Sequence, residues 1–214
     1  MPAHSFFRTV PGLILVVVTL VLGASLPIAL GLEETSALGL TALAFSAVVL
    51  FIGAPFCLIR FVFKESLHEY GWRLPHKPQE AFFLSAGVLA FLSIPIVLLS
   101  GRPEFRAFYD LGAISSEVLF LFFPLSVVYF VAEEFLFRGF FFCALRKRIP
   151  AWAITIDAIT FGLLHFDKPP LEMAFAMGVA ALLSWLTLRT GSFLPAAGVH
   201  FVMAVVLSLI VTFT

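Results

Sequence analysis

Charge is what this sequence has least of. Only 12% of its 214 residues are Asp, Glu, Lys or Arg, against 61% hydrophobic, where a soluble domain usually carries about 25% charged residues. That shortage points to an integral membrane protein in place of a soluble enzyme. The 13 basic and 13 acidic residues cancel, so no nucleic-acid partner is expected. Two cysteines, Cys57 and Cys143, lie in apolar stretches without metal-ligand spacing, and no disulfide framework is expected. His-Glu-x-x-His, the helix of a zinc peptidase, is missing. Gly23-Ala24-Ser25 has nothing near it that looks like the base of a serine nucleophile, and Tyr109-Asp110 has no second aspartate motif. No cleavable leader is expected either, because the first apolar stretch, 11–32, is too long and lacks a small-residue cleavage site.

Long apolar runs are plentiful. They lie at 10–32, 37–63, 81–100, 113–145, 151–166, 171–189 and 193–213, predicting an all-α, polytopic transmembrane helix bundle of about seven spans. The fifth is short. The fourth is too long for a straight perpendicular helix, and Pro124 offers it a place to kink. With no repeat and only short loops, residues 1–214 form one domain, with the motif-bearing region at 120–205. Basic residues set the expected orientation. An N-terminus inside gathers Arg8, Arg60, Lys64, Arg73, Lys77, Arg146, Lys147, Arg148 and Arg189 on the cytoplasmic side, leaving Arg102, Arg106 and Lys168 outside. The expected protein is therefore a multi-pass cell-membrane protein with its N-terminus cytoplasmic and its C-terminus outside. The segment 64–80, with Trp72, Pro75 and Pro78, is expected along the inner interface.

Against this background the stretch 130–142 stands out, because it puts Glu133, Glu134 and Arg138 inside an apolar run. Each such charge costs about 2.5–3.5 kcal/mol at membrane depth. Glu134 and Arg138 are four apart, share a helix face and can neutralise each other. Glu133 points about 100° away, with no expected partner in its own helix. At the helical rise Glu133 stands about 20 Å from the inner end of its helix and His165 about 22 Å from that side, so the two can meet. Arg138 and Asp157 lie at a common, shallower depth and form a second expected pair. His200 reaches the same level only if the 191–195 turn is sunk within the protein, where irregular backbone is tolerated under cover. On the fifth span Asp157, Phe161 and His165 recur every fourth residue and share one face. The remaining histidines, His4, His68 and His76, read as solvated or interfacial.

Glu133, His165 and His200 thus come from three helices and can converge in one cavity. A carboxylate beside imidazoles in a dry site can activate water as a general base, and a second donor can stabilise the oxyanion of a tetrahedral intermediate. Amide hydrolysis is the natural use. The bland alternatives stand beside it: a neutralised Glu134–Arg138 pair, a packing acid at Asp157, histidines bonded to nearby carbonyls, and phenylalanines serving as bulk.

At these residues the sequence resembles the CPBP family, the type II CAAX prenyl protease or abortive-infection group of intramembrane endopeptidases. Glu133, Glu134 and Arg138 match its Glu-Glu-x-x-x-Arg motif, followed by Gly139. Phe161 and His165 match Phe-x-x-x-His, and His200, preceded by Pro195, matches the start of a third motif whose later polar residue is Ala204 here. The resemblance implies that Glu133 is the general base, His165 its partner in activating water and His200 an oxyanion donor. Glu134 and Arg138 would orient the site while Phe161 packs against it. It also implies a lipidated or membrane-anchored protein or peptide substrate, cut near its C-terminus or membrane segment. No cofactor is required on this reading. Zn²⁺ remains the alternative, held by Glu133, His165 and His200 as a catalytic site with one open position. The metal-free form is favoured because no carboxylate is recognisable beside either histidine. Two other classes compete: a non-catalytic immunity or scaffold protein, and a proton-coupled transporter relaying through Glu133 and Asp157.

Overall fold

The computed structural model describes residues 6–33, 36–110, 112 and 115–213, without the side chains of 116 and 117. His4 lies outside the described residues. Among those described there is no strand. Eight helices carry the fold: α1 Val10–Ala24, α2 Ala37–Phe63, α3 Pro78–Ser100, α4 Pro103–Tyr109, α5 Val118–Arg146, α6 Ala153–Leu163, α7 Pro170–Thr190 and α8 Leu194–Phe213. Short helical turns at Leu26–Ala29 and Leu67–Tyr70 join them. Five helices, α2, α3, α5, α7 and α8, are long and apolar enough to cross a bilayer. The first and fifth expected spans are helices in the expected places, but α1 has 15 residues and α6 only 11. At 1.5 Å per residue α6 covers about 16 Å, roughly half a hydrocarbon core. The helix ends two residues before His165.

Local chemistry fixes the ends. Thr9, Ser36 and Ser115 cap α1, α2 and α5, each accepting a hydrogen bond from a first-turn amide. Pro103 and Pro170 occupy first positions, where a missing N–H costs nothing. Pro124 stays inside α5. The irregular stretch of that helix is the π-helical Phe135–Phe141, directly after the two glutamates. Wider turns of this kind re-aim side chains and recur at functional sites.

Two apolar cores form. One joins Leu13, Val17, Phe51, Phe63 and Tyr70 to Phe135, Phe140 and Phe141. The other joins Leu92 and Ile96 to Phe105, Leu183, Leu186, Val199 and Leu207. The phenylalanines beside the charged motif are therefore core bulk, whereas Phe82, Phe83 and Phe120 are exposed on the outside, where lipid would lie. α6 packs along α7, while α8 runs against both α3 and α5. Gly162 permits the α6–α7 approach: a Cβ there would come within 2.2 Å of the Met177 side chain and 2.9 Å of the Met173 carbonyl oxygen.

One end of the bundle is laced by polar groups. Arg8 donates to the Phe63 carbonyl at 2.5 Å and Lys147 pairs with Glu69 at 2.8 Å and also with Glu65. Arg148 donates to the Arg8 carbonyl. Burial raises the Glu65 pKa, but the Lys147 and Tyr70 hydrogen bonds outweigh it and hold the carboxyl below its ordinary value. Arg73 reaches across from segment 64–77 to donate to the Gly191 carbonyl at 2.7 Å, and Ser192 donates back to the Arg73 carbonyl at 2.5 Å. In the 191–193 turn Ser192 is fully covered and Phe193 nearly so, with Gly191 at φ 69°. Exposed His68 and His76 lie in the segment that covers this end. Four of the nine basic residues expected to be cytoplasmic, Arg8, Arg73, Lys147 and Arg148, therefore meet at one end.

Candidate functional site

Glu134, Arg138 and Asp157 are each 0% exposed. Arg138 Nη1 donates to Glu134 Oε1 at 3.1 Å, and its Nε lies 3.7 Å from Asp157 Oδ2. Both expected pairings of the guanidinium therefore form at once. The Phe161 ring covers it, with Cζ 4.4 Å from the centroid, a cation–π contact that keeps water out. Ser184 of α7 donates to Asp157 at 2.5 Å, fixing the acid that α6 supplies. This network bridges the seam between the two apolar cores, with α5 and α6 on one side and α7 and α8 on the other.

His200 of α8 joins the network. Its Nδ1 lies 2.7 Å from Glu134 Oε1 and 3.4 Å from Glu133 Oε2. Carboxylate oxygens only accept, so Nδ1 carries the proton and the other ring nitrogen is left for chemistry. Phe130 packs against the His200 ring at 4.5 Å between centroids, and Phe161 meets it at 5.9 Å. His165 sits one turn past Phe161. Its Nδ1 is 2.9 Å from the Phe161 carbonyl oxygen, an acceptor, so here too Nδ1 is the protonated nitrogen and Nε2 carries the free lone pair.

The two glutamates differ. Glu134 is sealed and shared between Arg138 and His200. The Glu133 side chain is 13% exposed and lines a cavity of about 640 Å³ together with Tyr129, Phe161, His165 and Ala204. A smaller cavity of about 100 Å³ joins His165 to His200 and Ala204. The large cavity is walled by the end of α1, the start of α2, and segments 108–110 and 164–168, so it opens toward the end of the bundle opposite the laced one. Glu133 thus borders the large cavity and His200 the small one, and His165 lines both.

Some features lay outside the sequence reading. Glu133 has a neighbour in its own helix after all: Tyr129, one turn earlier, approaches Oε1 with its hydroxyl at 3.4 Å. The four-residue spacing signalled this, but only charged partners were counted. Ser184 left no signal, being one hydroxyl in an apolar run. A carboxylate does sit beside one histidine, since Glu134 meets His200, which removes the ground on which a metal was set aside.

A metal must instead be judged on donor geometry. Among the described residues Glu133, Glu134 and His200 offer ligand atoms within 4.8 Å of one another, and His165 is outside that set. Glu134 Oε1 and His200 Nδ1 are spent on each other, and Arg138 takes the same oxygen. A cation held through Glu134 Oε1 would compete with the Arg138 guanidinium, 3.1 Å from that oxygen. The Glu133–Glu134–His200 donors are thus already engaged in a hydrogen-bonded network with Arg138.

Fold and site together define a polytopic helical membrane protein with a buried acid–guanidinium–imidazole network opening onto a cavity. Residues 115–206 match the model of a family described as type II CAAX prenyl endopeptidase Rce1-like. The matched stretch runs from the cap of α5 into α8 and contains every residue of the network. No curated protein and no solved structure matches the chain.

Proposed function

We propose that this protein is an intramembrane endopeptidase in which Glu133 activates water held in the large cavity. The observation that carries this is the division between the glutamates: the Glu134 side chain is 0% exposed, whereas the Glu133 side chain is 13% exposed and lines the large cavity. A carboxylate 3.4 Å from His200 that lines the large cavity with His165 is placed to take a proton. Water oxygen attacks the scissile carbonyl carbon as its proton passes to Glu133. His165, through its unprotonated Nε2, orients that water. His200 donates to the developing oxyanion through Nε2 when its ring carries both protons. Glu133 then returns the proton to the amide nitrogen, the C–N bond breaks, and a new carboxylate and an amine leave. Arg138 and Asp157 hold Glu134, and Glu134 holds His200.

The substrate class follows from the family match and the cavity: a lipidated or membrane-anchored protein or peptide cut near its C-terminus or membrane segment. The excess of Lys and Arg at the laced end supports a cytoplasmic N-terminus and an external C-terminus. The cavity then opens toward the outer half. No metal takes part in this scheme.

Glu133→Gln is the test, with membrane-embedded peptide cleavage as the readout. Expected is a loss of at least about 100-fold in kcat, with unchanged thermal unfolding in detergent and wild-type cleavage in the presence of a zinc chelator. Cleavage by E133Q at the wild-type rate would remove Glu133 as the base, and an absence of cleavage by wild type would return the protein to the scaffold reading. Proton-gradient-driven flux in liposomes without cleavage would favour a transporter.

A further inference from the structure

Glu133 needs a fixed orientation to act on water, and the sealed network does little to supply one. His200 Nδ1 lies 2.7 Å from Glu134 Oε1 and farther, at 3.4 Å, from Glu133 Oε2, and the Arg138 guanidinium donates to Glu134 as well. Among the described residues the one hydrogen bond to Glu133 comes from Tyr129, whose hydroxyl donates to Oε1 at 3.4 Å. Tyr129 stands one turn before Glu133 on α5, so the two side chains share a face. Its ring sits edge-on against Phe51 of α2, 6.2 Å between centroids, and against Phe130 at 5.6 Å. Phe51 is itself part of the core. The phenol is thus aimed from two helices, and it lines the large cavity beside Glu133 and His165.

We infer that Tyr129 is a positioning residue for Glu133, a reading that rests on Glu133 being the base of a peptidase. Glu133 Oε2 is covered, so Oε1 is the carboxylate oxygen that cavity water can meet. Each oxygen of an ionised carboxylate has two lone pairs. With the phenol on one, the other is presented to the water, and the carboxylate cannot turn about its last bond without losing the phenol contact. Such bonds are often long before substrate arrives and tighten in the reacting complex. The phenol keeps its own proton throughout, so the atoms of the hydrolysis balance as before. Hydrogen bonding to a carboxylate also favours its ionised form and so works against its basicity. The positioning role requires that orientation outweigh this loss, and the sign of the change in kcat decides between them.

Tyr129→Phe removes the hydroxyl and keeps the ring. In infrared difference spectra of the intact chain in detergent, the carboxyl band that Glu133→Gln abolishes is expected to shift in Tyr129→Phe. It is expected to shift the opposite way when 3-fluorotyrosine, a stronger donor, replaces Tyr129. In membrane-embedded peptide cleavage, Tyr129→Phe is expected to lower kcat about 10-fold, with KM and the unfolding midpoint unchanged. A band that stays in place overturns the contact. A shifted band with kcat unchanged or raised overturns the positioning role, as does a fall in kcat matched by a lower unfolding midpoint. Wild type that cleaves nothing strikes the peptidase assignment and takes the positioning role with it, while the infrared band still decides whether the phenol holds Glu133.

Discussion

Arg138 is the residue on which most depends. A guanidinium cannot shed its proton in a protein, so its burial at 0% exposure must be balanced by fixed acids. Glu134 and Asp157 supply that balance, and Phe161 excludes water. Arg138→Met leaves both acids without a counter-charge and is expected to cost about 3–5 kcal/mol of stability, read as the midpoint of unfolding in mixed micelles. A loss below about 1 kcal/mol would mean that the acids do not depend on the guanidinium for their burial. At this scale the sequence was largely legible. Four-residue spacing gave the Glu134–Arg138 pair and the shared face of Asp157, Phe161 and His165. Illegible was whatever depended on a neighbouring helix. Nothing in 130–142 says that His200 will lean on Glu134 at 2.7 Å more closely than on Glu133 at 3.4 Å, because that follows from where α8 is seated.

Among the elements, α6 departs most from expectation. Its apolar run, 151–166, reads as a span, but the helix has only 11 residues and ends in a turn at Leu164 whose amide caps back onto Gly162 and Thr160. Hydropathy registers apolar length and is blind to where a helix stops. What α6 lacks in length it makes up in contact with α7 through Gly162. Gly162→Ala drives a Cβ into the Met173 carbonyl, which unlike the Met177 side chain cannot swing away. It is expected to destabilise by about 1–3 kcal/mol and to slow cleavage by moving His165. Gly178→Ala in α7, where a Cβ meets nothing within 4 Å, is the control and is expected to be neutral or slightly stabilising. Melting curves and rates for the two variants decide it: equal behaviour would remove the close approach as an explanation.

For the whole molecule, the two ends are unlike. One is laced by Arg8, Lys147, Arg148 and Arg73 to backbone and acids from three other segments; the other is opened by the large cavity. The number of apolar runs was legible, but the number able to cross alone was not. Five helices have the length, and the two short ones depend on the bundle around them. Orientation is tested with single cysteines in a background lacking Cys57 and Cys143. A membrane-impermeant maleimide is expected to label Arg102→Cys in intact cells and Lys77→Cys only after permeabilisation. The reverse pattern would turn the protein over and bring the cavity to the cytoplasmic side.

The seam network also has a consequence for biogenesis. Arg138 and both glutamates emerge from the ribosome with α5, Asp157 follows with α6, and His200 arrives only with the last helix. Until then the Glu134–Arg138 pair and Glu133 on α5 lack their contacts from α6 and α8. That favours its lingering beside the insertion machinery until translation is nearly finished, so the order of synthesis sets when these helices can leave for lipid.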